Sequence, residues 1–75
     1  MTNFHNLKIA INDQQPLDEV VKQLSNMGYE ECLMSWRGYG FVVTENTGTM
    51  SDYTDDHKWM EDYPLTTLSA LKEMK

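Results

Sequence analysis

The sequence predicts an α+β fold in the order βαβββα, an antiparallel sheet with two helices packed on one face. Three observations predict it. A period-two run near the start leads into an amphipathic stretch with helix start and stop signals. Three short runs rich in aromatic and β-branched residues follow, separated by Gly- and Asn-bearing breaks. The chain then closes on apolar residues at helical spacing. At 75 residues, residues 1–75 predict a single small domain that folds alone only if most of its inward apolar residues are used. A core of that size holds only a few kcal/mol in reserve, which favours binding on an outer face over a deep pocket.

In "NLKIAIN", Leu7, Ile9 and Ile11 alternate with Lys8 and Ala10, as in a half-buried strand. "PLDEVVKQLSNMG" then reads as a helix. Pro16 suits its first turn, Asp18 and Glu19 complement the N-terminal dipole, and Leu17, Val20, Val21, Leu24 and Met27 share one face. Gly28 supplies the left-handed residue that ends it, with Tyr29 folding back over the last turn. "ECLMSW" and "YGFVVTE" read as the next two strands, with Cys32, Met34 and Trp36 on one face of the first and Tyr39, Phe41 and Val43 on one face of the second. "RG" between them is a hairpin turn in which Gly38 takes positive φ. "NTG" turns into "TMSDY", a fourth strand. "TDDHKWMED" fits neither period and reads as a loop or a single helical turn. "PLTTLSALKEM" closes the chain as a helix capped by Thr66 or Thr67, with Leu65, Leu68, Leu71 and Met74 along one stripe.

Charge is unevenly distributed. Of the net −6, the stretch Glu45 to Asp62 carries six acids and one base, or −5; the other six acids and five bases give −1. Such a field opposes direct binding to nucleic acid or an anionic membrane, both of which need clustered Lys and Arg. It suits a basic groove on another protein. Cys32 is the only cysteine, so no intramolecular disulfide forms. No segment approaches the ~20 apolar residues of a bilayer span, and "MTNFHNLKIA" lacks the charge and apolar pattern of a signal peptide. The expectation is a soluble, unsecreted, cytoplasmic protein.

The candidate site is "SDYTDDHKWMEDY", Ser51 to Tyr63, with five carboxylates, three large aromatic rings, one His and one Lys. As a calcium loop, "DYTDDHK" lacks the Gly and the bidentate Glu at their required positions, and no second His or Cys stands near His57 for zinc. No metal site or cofactor is expected; His57 reads as an exposed polar residue and His5 as a tail residue. Ser51, His57 and an Asp form a triad only on paper, without a nucleophile elbow. Cys32 inside an apolar strand reads as a small hydrophobe, and no Gly-rich phosphate loop exists. No catalytic residue is expected and the chain is read as a non-enzyme. The rings allow two readings. Trp59 and Tyr63 either fold back to close the core, or rings such as Tyr53 and Trp59 stand among the carboxylates as interface anchors.

The opening "KIAINDQQPLDEVVKQLSNMGY", the hairpin "WRGYGFVVTENTG" and the ending "YPLTTLSALKEM" resemble, in layout over most of the chain, small accessory proteins of tailed bacteriophages and prophages. That resemblance implies a stoichiometric inhibitor of CRISPR effectors, restriction enzymes or other host machinery, working in the host cytoplasm. Three functional readings follow. In the first, an inhibitor uses Glu45, Asp52, Tyr53, Asp55, Asp56, Trp59, Glu61 and Asp62 as a partner-binding surface, with carboxylates standing where phosphates would be on a basic bacterial protein. In the second, a homo-oligomer holds a nucleotide or metabolite in a shared pocket, although Arg37 is the only Arg available to it. In the third, the acidic face merely keeps the domain in solution.

Overall fold

A computed structural model describes residues 4–74, for Met74 the backbone alone. The strands are β1 (Leu7–Ile11), β2 (Glu30–Glu31), β3 (Gly40–Thr44), β4 (Thr49–Tyr53) and β5 (Leu65–Thr66), and the helices are α1 (Leu17–Asn26) and α2 (Leu68–Met74). The class is α+β. The sheet order is β2-β4-β3-β1-β5. β3 runs antiparallel to both β1 and β4, but β2 joins β4 in parallel and β5 joins β1 in parallel. The sheet is therefore mixed where the sequence predicts an antiparallel one. Both parallel strands are two residues long, too short to leave a period in the sequence.

Register assigns the faces. Ile9 pairs with Val42, Leu7 with Thr44, and Thr44 with Met50, so these side chains share one face. There Leu7, Ile9, Val42 and Met50 form one buried cluster with Leu17, Val20, Val21 and Leu24 of α1, Tyr29 behind it, and Leu68 and Leu71 of α2. Both helices thus pack on the same face. Buried Thr44 is satisfied there, its hydroxyl donating to the His5 carbonyl at 2.7 Å and accepting from the Leu7 amide at 3.0 Å. Gln15 ties the helix layer to the sheet: its side-chain amide donates to the Ala10 carbonyl, and its oxygen accepts from the Leu68 amide at 3.1 Å. Gly28 ends α1 at φ +101°, with the Tyr29 amide reaching back to the Leu24 carbonyl as the left-handed stop requires.

Further sequence expectations are corrected. "ECLMSW" is not a strand beyond Glu31, and "RG" is not a hairpin turn. β3 already has β1 on one side and β4 on the other, so no edge remains for an antiparallel neighbour from residues 32–36. The chain bends after Glu31, and Cys32, Leu33, Trp36 and Tyr39 are exposed. Cys32 is accordingly not a small hydrophobe inside an apolar strand. The closing helix is also shorter than expected. Residues 65–66 pair with β1 through Lys8 and Ile9, Leu65 is exposed, and the Thr67 hydroxyl accepts from the Ala70 amide at 3.1 Å as the N-cap. Met74 of the expected stripe lies outside the described side chains.

Candidate functional site

Alternation places Lys8, Phe41, Val43, Ser51 and Tyr53 on the sheet face opposite the helices. Residues 54–64 cross that face, with one 3-10 turn at Lys58–Met60. Val43 and Met60 are both fully buried and stand outside the main cluster. The acidic segment therefore covers the second face of the sheet. Gly40 lets it do so: at φ +93°, any Cβ there would run into the Tyr53 carbonyl oxygen and the Thr54 Cα, so only glycine allows the strands this approach.

The rings of the segment support one another. Tyr53 meets Trp59 edge-on at 5.2 Å and His57 at 5.5 Å, Trp59 meets Tyr63 edge-on at 5.7 Å, and His57 lies parallel to Trp59 at 6.3 Å. Such edge-to-face pairs contribute ~0.5–1.5 kcal/mol each beyond burial. Trp59 nevertheless remains 48% exposed and stands outside the core cluster, so it does not close the core; it is braced by neighbouring rings and presented to solvent. Tyr63 donates its hydroxyl to Glu45 at 2.7 Å. That bond, then burial and the Glu45 charge, push the Tyr63 phenol up to about 12.

The predicted surface residues separate into two groups. Glu45 is held by Tyr63. Asp56 pairs with Lys8 at 3.0 Å, and the same ammonium stands over the Phe41 ring at 5.6 Å. Asp52 turns toward residues 33–36, accepting from the Ser35 amide, the Ser35 hydroxyl and the Trp36 amide, each at 2.8 Å. Partial burial alone would raise the Asp52 carboxyl, but these hydrogen bonds and one from its own amide outweigh it and hold it below the ordinary range. Asp55, Glu61 and Asp62 are exposed beside Trp59 in the chain; of these, only Asp55 takes a long contact, 3.5 Å from the Thr54 hydroxyl. Ser51 accepts from the Leu33 amide at 3.4 Å, and the His57 ring is engaged with Tyr53 and Trp59.

One exposed group was missed as a unit by sequence reasoning: Leu33, Trp36, Arg37 and Tyr39, which the sequence reading divides between two strands and the turn joining them. Trp36 sits at φ +57°, a left-handed backbone that is an outlier for a bulky residue. The visible signal was "RGYG", two glycines around one ring, which suits an irregular loop as well as a hairpin.

An open groove of about 220 Å³ between the helices is lined by Glu19, Lys22, Gln23, Asn26 and Lys72. Among the described residues, no group of three or more His, Cys, Asp or Glu gathers to hold a metal ion, and no helix is long and apolar enough to cross a membrane. No family model, curated protein or solved structure matches the chain.

Proposed function

We propose that this chain is a non-enzymatic inhibitor of the phage accessory type, whose acidic segment occupies the basic, nucleic-acid-handling surface of a bacterial protein. The observation that supports this reading most is Trp59. A ring that is half exposed yet braced by Tyr53, His57 and Tyr63 loses little freedom on contact, which is what an interface anchor needs. Asp55, Glu61 and Asp62 surround it in sequence and are free to accept hydrogen bonds from Lys or Arg. Because the segment is laid on the sheet, the carboxylates are presented on a fixed support.

The test uses immobilised protein, a bacterial lysate and the triple variant Asp55→Lys, Glu61→Lys, Asp62→Lys, which leaves the Lys8–Asp56 pair in place. The expected result is a nucleic-acid-handling protein captured by the natural sequence, eluted by rising salt, displaced by duplex DNA and absent with the variant. Equal capture by both chains, or capture that duplex DNA does not compete, would refute the proposal.

A further inference from the structure

We propose that the loop from Cys32 to Tyr39 is a self-association surface, and that its occupant is the same loop of a second copy of this chain. The inference does not rest on the proposed inhibitor role, although Ser51 and Asp52 at the start of the acidic segment brace the loop. Leu33, Trp36 and Tyr39 are 71%, 49% and 59% exposed, three large apolar side chains within seven residues, at the β2 edge of the sheet. Large apolar side chains exposed together on one short loop are a feature of interaction sites in folded proteins.

The loop is also held in place. Asp52 binds the Ser35 and Trp36 amides, Ser51 receives the Leu33 amide, and the Leu33 carbonyl accepts from the Asp52 amide at 3.3 Å. These bonds keep Trp36 in a left-handed conformation that a bulky side chain disfavours. The bonds therefore fix the Trp36 backbone in place while leaving the ring half exposed.

Charge selects the second copy as the occupant. Arg37 is the only arginine of the chain and forms no ion pair among the described residues. Glu30 and Glu31, at the other end of the same segment, are exposed and also unpaired. The segment thus carries exposed charge of both signs at its two ends, so that two copies related by a two-fold axis near Leu33 can set Glu30 of one toward Arg37 of the other. This self-complementarity is what an isologous contact requires. The contact runs through side chains, because both backbone polar groups of Leu33 already turn inward to β4.

The three exposed side chains offer roughly 300 Å² per copy, from the 150–250 Å² that an aromatic ring presents. A stable pairing needs about 800 Å² per side. The expected dimer is thus concentration-dependent, and moderate salt leaves its apolar part intact.

Sedimentation of the full chain over a concentration series, with reductant present, tests this. The natural sequence should shift from monomer to dimer. Trp36→Gly, which suits the left-handed backbone and removes the ring, should remain monomeric with an unchanged circular dichroism spectrum. Arg37→Glu should weaken the dimer about tenfold or more, and Arg37→Glu with Glu30→Arg should recover it. If Trp36→Gly does not fold, the charge exchange alone decides. A monomer at every concentration, a dimer that persists in both Trp36→Gly and Arg37→Glu, or one that reductant or Cys32→Ser abolishes would overturn the proposal. The first of these outcomes would assign the loop to a different protein or to lipid, distinguished by adding neutral vesicles.

Discussion

Replacing Asp52 with Ala tests whether this carboxylate is a brace of the fold. Three donors reach it at 2.8 Å. A hydrogen bond to a charged group contributes ~1.5–3 kcal/mol when buried, but this carboxylate is partly solvated, and each bond is worth nearer ~1 kcal/mol after water competes. The sum, ~3 kcal/mol, is offset by about 1 kcal/mol as Trp36 relaxes from its left-handed backbone. The net loss is ~2 kcal/mol, which lowers the melting temperature by roughly 8–16 °C in a domain of this length. Thermal melting and amide exchange at Ser35 and Trp36 read the two halves of the effect. Asp52→Asn keeps one acceptor oxygen and should fall between. Acid provides a second view. The folded carboxyl lies below its ordinary 3.8, so its contribution is present above that pH and disappears as pH falls through the lower folded value. The loop amides should lose protection there. An Asp52→Ala chain that melts with the natural sequence and keeps Trp36 protected would refute the reasoning.

Two further substitutions examine the cover over the second sheet face. Met60→Ala empties a fully buried site and should cost about 2–5 kcal/mol in urea unfolding; a loss below about 0.5 kcal/mol would mean that the segment lies on the sheet without packing against it. Tyr63→Phe removes the bond to Glu45 and should cost ~0.5–1.5 kcal/mol. Because the Tyr63 phenol is raised from 10.0 to about 12, its contribution is complete below pH 10 and is lost as pH rises toward 12. Ultraviolet titration of the natural chain should show a late-ionising component that the Phe variant loses.

Elements with a long period were legible from sequence. The alternation of Leu7, Ile9 and Ile11, the stripe of Leu17, Val20, Val21 and Leu24, and the Gly28 stop each state a local rule that tertiary structure obeys. "ECLMSW" failed because alternation shows only that a run could lie on a sheet, and not that an edge is free to receive it. β1 and β4 had taken both sides of β3. Residues 65–66 failed for the converse reason: β1 had an open edge, and two residues preceding a capped helix were enough to fill it. The sequence also placed charge better than contact. It located the acidic segment and its rings, yet Met60 as the buried residue within that segment, and Asp52 as the brace of a loop 16 residues earlier, depend on pairings that no local window contains.

Those pairings alter what the localised charge can do. A hydrogen bond to a carboxylate fixes its direction and leaves its charge, whereas an ion pair offsets the charge. Glu45 and Asp52 therefore still contribute to the field that, under the proposed function, would steer a basic partner toward this face, and among the described residues only Asp56, beside Lys8, is neutralised at short range. Their oxygens, however, are engaged within the fold. Under the proposed function, short contacts with an arriving Lys or Arg would fall to Asp55, Glu61 and Asp62, with Trp59 supplying area. Long-range steering governs the association rate, and desolvated contact governs the dissociation rate. Neutralising Glu45 should therefore slow association and also lower stability through Tyr63. Neutralising Glu61 or Asp62 should hasten dissociation with little effect on melting. Under that proposal, surface charges that the sequence presents as one cluster would divide into two roles, according to which of them the sheet has already used.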